Sequence, residues 1–258
     1  MKIQYLIKVV LSVILIIKFL PSQAQTCIVL VKRYNDIFIA ADSRQTIVSS
    51  KVVNGKIIQK TIQSITCKIK NFKNIYFAIS GEGQDTIYQL AEKSCRLSKN
   101  IYESSKKFKS YLMPFLKDNL IEMKQKNKPF FEQHFKSRAI TKIAFFGFEN
   151  KKPYTINMVF FLKKSVYDPI DIDCNILPNS ILNNGDYQMY VLGKRDLIDA
   201  LPKLFTDTLM SYKDLSKSLR YLIRLEMNKY PSEISEPIDI LNITEDGVNW
   251  ISKKELCN

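Results

Sequence analysis

The chain has a single histidine, His134, among its 258 residues, and none of its five cysteines forms a Cys-x-x-Cys pair. One histidine cannot complete a zinc-binding set with these cysteines, so no metal site is expected. His134 lies in a polar, lysine-rich stretch without a nucleophile-elbow glycine motif, which favours a surface histidine over a Ser/His or Cys/His catalytic pair. Any hydrolytic chemistry of this chain therefore needs a base other than histidine.

The sequence also lacks a phosphate-binding loop, internal repeats and any tract rich in proline or glycine that would divide it. Without a phosphate-binding loop, the chain has no motif of its own for binding ATP. Without a linker, residues 26–258 are expected to form one domain, long enough for a substantial core.

The first 25 residues have the three parts of a secretory signal peptide. Lys2 and Lys8 form a basic n-region, residues 9–17 an apolar core, and residues 22–24 a small-residue cleavage box. Lys18 interrupts the apolar run far short of the roughly 20 residues that a membrane-spanning helix needs. We therefore expect an exported protein, periplasmic or secreted, that loses this leader.

The chain is strongly basic. Its formal net charge is +14, which falls to +11 when the leader leaves with Lys2, Lys8 and Lys18 and no acidic residue. Such a balance permits attraction to anionic surfaces or nucleic acid. The lysines are spread along the whole chain rather than gathered with aromatic residues, so no nucleic-acid partner is expected.

The cysteines leave one question open. Export permits disulfide bonds, and five cysteines leave at least one free thiol. The sequence does not indicate which of them pair: Cys27, Cys67, Cys95, Cys174 and Cys257.

The pattern of apolar residues predicts an α+β fold. Strands are expected at residues 27–33, 37–41, 68–72, 74–80, 139–148, 154–162, 187–192, 238–243 and 248–251, with a further strand or extended loop at 57–66. Helices are expected from residue 85 to 97 and at residues 101–124, 195–210 and 211–229. We expect Pro114 to break or kink the second helix. Strand pairs followed by helical pairs predict a four-layer αββα sandwich, two antiparallel sheets flanked by helices.

Thr26 follows the leader and opens the run Thr-Cys-Ile-Val-Leu-Val-Lys-Arg-Tyr-Asn-Asp-Ile-Phe-Ile-Ala-Ala-Asp-Ser-Arg. A threonine at a new N-terminus can use its own α-amine, with an ordinary pKa of about 8, as the catalytic base. A neighbouring lysine lowers the pKa of that amine, and a carboxylate keeps the lysine charged and oriented. A backbone N–H must receive the oxyanion, which favours glycine where substrate and chain approach closely.

Residues 26–44 resemble the opening of proteasome β-subunits and their bacterial relatives, which are N-terminal nucleophile (Ntn) hydrolases. Those families begin with threonine, form a β-hairpin, and end it with an Ala-Ala-Asp-Ser/Thr-Arg segment at the offset of residues 40–44. A second block comprises residues 67–69, residues 74–81 and Asp85. It resembles the family segment that carries a catalytic lysine and an oxyanion-hole glycine.

The resemblance implies four catalytic roles. Thr26 would be the nucleophile, Lys68 the lysine that tunes its amine, Asp42 the partner of Lys68, and Gly81 the oxyanion donor. Each residue alone has an ordinary alternative as a strand-end cap, a surface lysine or a turn former. Their agreement in type, spacing and order favours the catalytic interpretation.

The resemblance is weaker for the substrate pocket and the C-terminal part. Gln45, Thr46, Ile79 and Gly83 are candidate substrate-binding residues by resemblance, with ordinary strand and turn packing as the alternative. The stretch between Arg44 and Lys68 is longer than is typical of the family.

Two family positions differ. Lys194 stands where a supporting serine is usual, and Ser232-Glu233-Ile234-Ser235 occupies the place of an Asp-x-x-Ser motif. Ser235 matches this motif, whereas Ser232 replaces the aspartate, and compensation by the neighbouring Glu233 is left open. These family residues steady the amine of the threonine. A non-catalytic binding or scaffolding module with the same fold is therefore the alternative to an enzyme.

The start of the mature chain has two alternatives. Cleavage after Ala24 would leave Gln25 in front of Thr26. Either signal peptidase cuts after Gln25, or Thr26 attacks the Gln25 carbonyl and frees itself. Cys27 is a rival nucleophile, but moving the nucleophile by one residue turns its side chain to the other strand face. The offset to Asp42 therefore favours Thr26.

The resemblance implies hydrolysis of amide bonds, of peptides or of small acyl-amides, through a Thr26 acyl-ester, without a metal or organic cofactor. Proteasome-type relatives assemble into rings and receive substrates from ATP-driven unfoldases. An exported protein has little access to ATP, so no unfoldase partner is expected. Assembly into a homo-oligomer is left open.

Overall fold

A computed structural model of the chain describes residues 26–53, 56–81, 84–126, 128, 131–132, 139–163 and 170–257, with backbone only for residues 45–53, 56–63, 84 and 256. The expected leader and His134 lie outside the described residues. The strands are β1 (Cys27–Arg33), β2 (Asp36–Ala41), β3 (Arg44–Val53), β4 (Lys56–Ile65), β5 (Ile69–Phe72), β6 (Ile75–Gly81), β7 (Ala139–Glu149), β8 (Lys152–Leu162), β9 (Ile172–Leu177), β10 (Tyr187–Gly193), β11 (Asp239–Thr244) and β12 (Gly247–Ser252). The helices are α1 (Gln84–Arg96), α2 (Ile101–Lys126), α3 (Asp196–Asp199), α4 (Lys203–Ser211) and α5 (Ser216–Lys229), followed by a short 3-10 helix (Glu255–Cys257).

The strands form two five-stranded antiparallel sheets and one two-stranded ribbon. The first sheet has the order β10-β1-β2-β11-β12, the second has the order β5-β6-β7-β8-β9, and β3 pairs with β4 in the ribbon. Adjacent strands pair antiparallel in both sheets and in the ribbon. The predicted α+β class with two antiparallel sheets is confirmed.

The apolar core consists of three clusters. The second sheet packs against α1 and α2 through residues that include Phe77, Phe145, Phe108 and Leu112. The first sheet packs against α5 through residues that include Val29, Val31, Leu219 and Leu222. Between the sheets lies a third cluster that includes Ile28, Leu30, Ala78 and Phe146. Because alternate residues of a strand face opposite sides, β1 supplies two of these clusters and is buried on both faces.

Most of the predicted elements are present. The helix α2 continues across Pro114, so a break at this proline is contradicted, while a kink there stays a prediction. The strands β3 and β9 were not expected. In β9 the apolar residues Ile172, Cys174 and Ile176 alternate with polar ones, which is a strand signal over only six residues.

One disulfide bond joins Cys67 to Cys257, which are 190 residues apart in the chain. The remaining cysteines, Cys27, Cys95 and Cys174, are free and buried. In the chain-entropy description, closing so long a loop stabilises the folded state by about 5 kcal/mol. Among the described helices, none combines the length and apolar composition needed to cross a bilayer.

Candidate active site

Three sequence-predicted residues meet at one end of the two sheets. Thr26 directly precedes β1 and Asp42 directly follows β2. The antiparallel register of this hairpin places Ile28 opposite Ala41, so Thr26 and Asp42 lie at the same end. Lys68 directly precedes β5 of the other sheet and reaches the same point.

Hydrogen bonds connect the three side chains. The Lys68 Nζ donates to Thr26 Oγ1 at 2.7 Å and to Asp42 Oδ1 at 2.8 Å. Asp42 Oδ1 also accepts from the backbone N–H of Cys27 at 2.8 Å, and Asp42 Oδ2 accepts from the N–H of Arg44 at 3.1 Å. The carboxylate is therefore fixed by the backbone on both sides of the hairpin and in turn fixes the lysine.

All three residues are buried: Thr26 is 1% exposed, and Asp42 and Lys68 are both 0% exposed. Burial lowers the pKa of Lys68, because it disfavours the charged form, while the charge and hydrogen bond of Asp42 act in the opposite direction. A buried ion pair is costly to break, since removal of one partner leaves an uncompensated charge. The pair is therefore held together although it contributes little net stability.

Gly193 positions Thr26, and the sequence analysis did not identify it as a site residue. It is the partner of Cys27 in the β1–β10 ladder and has a φ of +85°. A Cβ atom at this position would lie 1.7 Å from the carbonyl oxygen of Thr26. The next N–H, that of Lys194, donates to this same oxygen at 2.8 Å. The sequence signal was a glycine at the end of a strand, which also fits an ordinary turn.

Tyr88, on α1, holds the backbone of Lys68 and was also missed. Its buried hydroxyl donates to the carbonyl of Lys68 at 2.8 Å, with the carbonyl of Ile79 as a more distant acceptor at 3.4 Å. Burial raises the pKa of Tyr88 far above its usual value, so the hydroxyl keeps its proton and remains a donor. No local pattern distinguishes this tyrosine from the others in the sequence.

We expect the substitution Tyr88→Phe to lower the free energy of unfolding by about 1 kcal/mol or somewhat more, because the buried Lys68 carbonyl loses its donor. Urea unfolding at neutral pH measures this change. Tyr102→Phe is the matched control, since Tyr102 is half exposed on α2, and its effect should stay within about 0.5 kcal/mol. Equal effects of the two substitutions would contradict a structural role for the Tyr88 hydroxyl.

Gly81 ends β6 with a φ of +123°. A Cβ atom here would lie 2.5 Å from the carbonyl oxygen of Ile140 and 2.7 Å from the Cα of Thr141. Only glycine fits this close approach between β6 and β7. This steric requirement holds whether or not the N–H of Gly81 has a role in catalysis. The assignment of that N–H as the oxyanion donor remains a prediction.

The segment that contains Ser235 lies beside the hairpin end. The N–H of Ser43 donates to the carbonyl of Ser235 at 3.2 Å. The Lys194 Nζ lies 3.5 Å from Glu233 Oε2 and 4.0 Å from the centre of the Tyr230 ring. Ser232 is exposed. Lys194, one of the two positions that differ from the resembled pattern, is therefore paired with Glu233, the neighbour of Ser232 at the other position.

The four candidate substrate-binding residues are placed unequally. Gln45 and Thr46 lie in β3, opposite Ser64 and Gln63 of β4, and only their backbone is described. Ile79 is fully buried in the apolar cluster between the second sheet and the helices α1 and α2, which agrees with the alternative of ordinary strand packing. Gly83 lies outside the described residues. A substrate-binding role for this set remains a prediction.

Cys27, the rival nucleophile, lies on the opposite face of β1 from Thr26. It is fully buried in the cluster between the first sheet and the helices, together with Val29 and Val31. Burial, and next the negative charge of Asp42, raise the pKa of the Cys27 thiol well above its usual value. Both observations agree with the preference for Thr26.

Within the described residues, no group of three or more His, Cys, Asp or Glu side chains is placed to hold a metal ion. Comparison of the sequence with protein-family models and with curated proteins gave no match. The interpretation of the site therefore rests on its geometry and on the resemblance of the two sequence blocks.

Proposed function

We propose that this chain is an exported N-terminal threonine hydrolase with the four-layer fold of the proteasome-like Ntn hydrolases. It cleaves amide bonds, most simply those of peptides, through an acyl-ester on Thr26. The observation that carries the proposal is the buried hydrogen-bonded chain in which the Lys68 ammonium bridges Thr26 Oγ1 at 2.7 Å and Asp42 Oδ1 at 2.8 Å.

Burial of this lysine supports a chemical role. Most of the chain's many lysines need no buried partner, because an ammonium group is stable in water. Lys68 is instead fully buried with its ammonium directed at a hydroxyl. A buried titratable group with one specific charge partner next to a nucleophile is typical of an active site.

The fold supports the same function. Thr26 directly precedes β1, an inner strand of the first sheet, and Lys68 directly precedes β5 of the second sheet. The nucleophile is therefore set at one end of the contact between two antiparallel sheets, which is the arrangement that the resemblance implies.

In the full-length chain, the nitrogen of Thr26 belongs to the peptide bond with Gln25, so it cannot act as a base. Self-processing solves this problem. Thr26 Oγ attacks the Gln25 carbonyl, the carbonyl carbon changes its bond from nitrogen to oxygen, and the freed nitrogen takes up the hydroxyl proton. Water then hydrolyses the ester, which leaves a carboxylate on Gln25 and a free α-amine on Thr26.

In the mature enzyme, the α-amine accepts the proton of the hydroxyl while Thr26 Oγ attacks the amide carbonyl of the substrate. The N–H of Gly81 receives the oxyanion. The proton then passes to the leaving nitrogen, and water hydrolyses the acyl-ester in the second half-reaction. The Lys68 charge lowers the pKa of the amine, Asp42 keeps Lys68 oriented, and Ser235 steadies the amine.

Intact-mass and N-terminal analysis of the exported protein, beside a Thr26→Ala variant, tests the proposal. We expect the native chain to begin at Thr26 and the variant to retain Gln25, because only a hydroxyl or thiol can attack the preceding carbonyl. Cys27→Ser serves as the control and should be processed like the native chain.

If the Thr26→Ala variant is also cut after Gln25, signal peptidase exposes the threonine. Hydrolysis of peptides by the native protein, and not by the variant, then decides the question. A native protein that keeps Gln25 contradicts the free-amine mechanism. A panel of peptides and small acyl-amides separates a peptidase from a small-molecule amidase.

One observation favours a non-catalytic binding module as the second candidate. Lys194 replaces the supporting serine, and its ammonium is engaged by Glu233 and the Tyr230 ring. If this ion pair replaced the support of the amine altogether, the protein would keep the fold without turnover. Native protein that begins at Thr26 but hydrolyses no member of the panel would favour this candidate.

A further inference from the structure

Residues 66–68 connect β4 to β5 in backbone that belongs to no strand. A disulfide bond and a hydrogen bond to the last residues of the chain nevertheless hold this segment in place. Cys67 forms the disulfide bond with Cys257. The carbonyl of Thr66 accepts a hydrogen bond from Lys254 Nζ at 2.7 Å. Thr66 and Cys67, which precede Lys68 in the sequence, are therefore fixed by residues 188 and 190 positions away.

Lys254 takes part in a second buried ion pair beside the first. Its Nζ lies 2.8 Å from Asp239 Oδ2, and its backbone N–H donates to Asp239 Oδ1 at 2.9 Å. Each side chain is only 2% exposed. Asp239 is paired in the ladder with Ala41, the residue before Asp42. The aspartates of the two ion pairs, Asp42 and Asp239, therefore lie side by side at the ends of the adjacent strands β2 and β11.

We propose that residues 254–257 form a C-terminal clamp that positions Lys68 in the active site. In this clamp, Lys254 is the positioning residue and the Cys67–Cys257 disulfide is the covalent tie. This inference rests on the proposed function, in which the Lys68 ammonium has to stay within hydrogen-bond distance of Thr26. The clamp makes the rate of the reaction depend on an oxidised disulfide.

The physical reason is the precision that catalysis requires. A displacement of about 1 Å at a reacting group can lower the rate about 100-fold. Backbone outside a sheet ladder lacks the regular hydrogen bonds that would prevent such a displacement. The clamp supplies one covalent bond and one charge-assisted hydrogen bond to the segment before Lys68.

Lys254 also acts on Lys68 through its charge. The charged and titratable groups that face Lys68 are Cys27, Asp42, Tyr88 and Lys254, joined in the proposed mature chain by the α-amine of Thr26. Burial is the largest cause of the lowered pKa of Lys68, and the Lys254 charge adds to it. Removing Lys254 should therefore raise the pKa of Lys68, since a like charge disappears and Asp239 loses its counterion.

Reduction of the disulfide tests the covalent tie. A dithiol reductant transfers two electrons and two protons to the sulfur pair, which gives two thiols and closes the reductant into its own disulfide. We expect the reduced native protein to lose about 10- to 100-fold in kcat with little change in KM. Cys257→Ser should show the same loss and no further response to the dithiol. Full activity of native protein in which alkylation and mass analysis show both thiols free would overturn the proposal.

Lys254→Met tests the positioning residue, with Lys253→Met as the matched control on an exposed neighbour. NMR titration of isotopically labelled lysine side chains reads the pKa of Lys68 directly. We expect the pKa of Lys68 to rise in Lys254→Met and to stay unchanged in Lys253→Met. The pH at which the rate falls on the alkaline side of the pH–rate profile should change in the same way. A role limited to folding would lower stability without moving the pKa, and that result would refute the assignment of Lys254.

The titration needs no turnover, so the two proposals can fail separately. If the native chain keeps Gln25 while Lys68 still responds to Lys254, the clamp stands and the hydrolase proposal fails. If Cys257→Ser processes itself at the native rate, the hydrolase proposal stands and the clamp fails.

Discussion

Lys68→Met is expected to reduce self-processing and amide hydrolysis by about 1,000-fold or more, the loss typical of removing one member of a catalytic constellation. The Lys68 ammonium contacts both the nucleophilic oxygen and the carboxylate that fixes the site. Methionine has nearly the same shape but neither the charge nor the donors. Single-turnover kinetics of processing, together with steady-state hydrolysis, measure the loss.

The same substitution affects stability, and this effect has to be separated from catalysis. Lys68→Met leaves the Asp42 carboxylate fully buried without its counterion, which costs about 3–5 kcal/mol. Adding Asp42→Asn removes that charge, so the double variant should recover most of the stability and none of the activity. Lys117→Met on the exposed face of α2 is the surface control and should change the free energy of unfolding by less than about 0.5 kcal/mol.

A folded, stable double variant with native activity would show that Lys68 has no chemical role. A single variant that is inactive only because it is unfolded would regain activity in the double variant. Urea unfolding and activity, measured on the same preparations, distinguish these outcomes from the expected one.

Gly193→Ala is expected to lower the free energy of unfolding by about 3 kcal/mol or more and to abolish processing. The added Cβ would lie 1.7 Å from the Thr26 carbonyl oxygen, and the clash is with backbone, which no side-chain rotation relieves. The φ of +85° adds conformational strain of roughly 1–2 kcal/mol for a residue with a Cβ. The ladder between β10 and β1 has to open at Cys27, which moves Thr26 away from Lys68.

Gly185→Ala is the matched control for Gly193→Ala. Gly185 has a similar φ of +93°, but a Cβ there would meet no atom within 4 Å. The control therefore shows only the conformational strain, and the difference between the two variants isolates the contact with Thr26. Equal stabilities of the two variants, with processing intact in both, would contradict the role assigned to Gly193.

Much of the site could be predicted because two of its residues are close in sequence. The short apolar and β-branched runs of β1 and β2, separated by residues 34–36, predict a hairpin, and a hairpin brings Thr26 and Asp42 together wherever it lies in the fold. Lys68 was predicted only through the resemblance of its block, since no local rule selects one lysine among many. The structure brings it to the other two residues, while the chemistry of the three remains a proposal.

The residues that support the site could not be predicted from any local pattern. Tyr88 acts from the far side of the second sheet, and Gly193 acts from a strand more than 160 positions away from Thr26 in the chain. Each of them matters through its contact with one carbonyl oxygen: Tyr88 donates to that of Lys68, and Gly193 leaves room for that of Thr26. A periodic pattern of apolar residues carries no information about such single contacts.

The sequence by itself determined the α+β class, the antiparallel pairing of neighbouring strands and the meeting of Thr26 with Asp42. These features follow from side-chain periodicity and short turns, which act over a few residues. Only the tertiary structure decided the Cys67–Cys257 pairing, the Lys254–Asp239 ion pair and the close approach at Gly193. Each of these joins segments that meet only after the two sheets have packed, so the packing of the whole chain selects them.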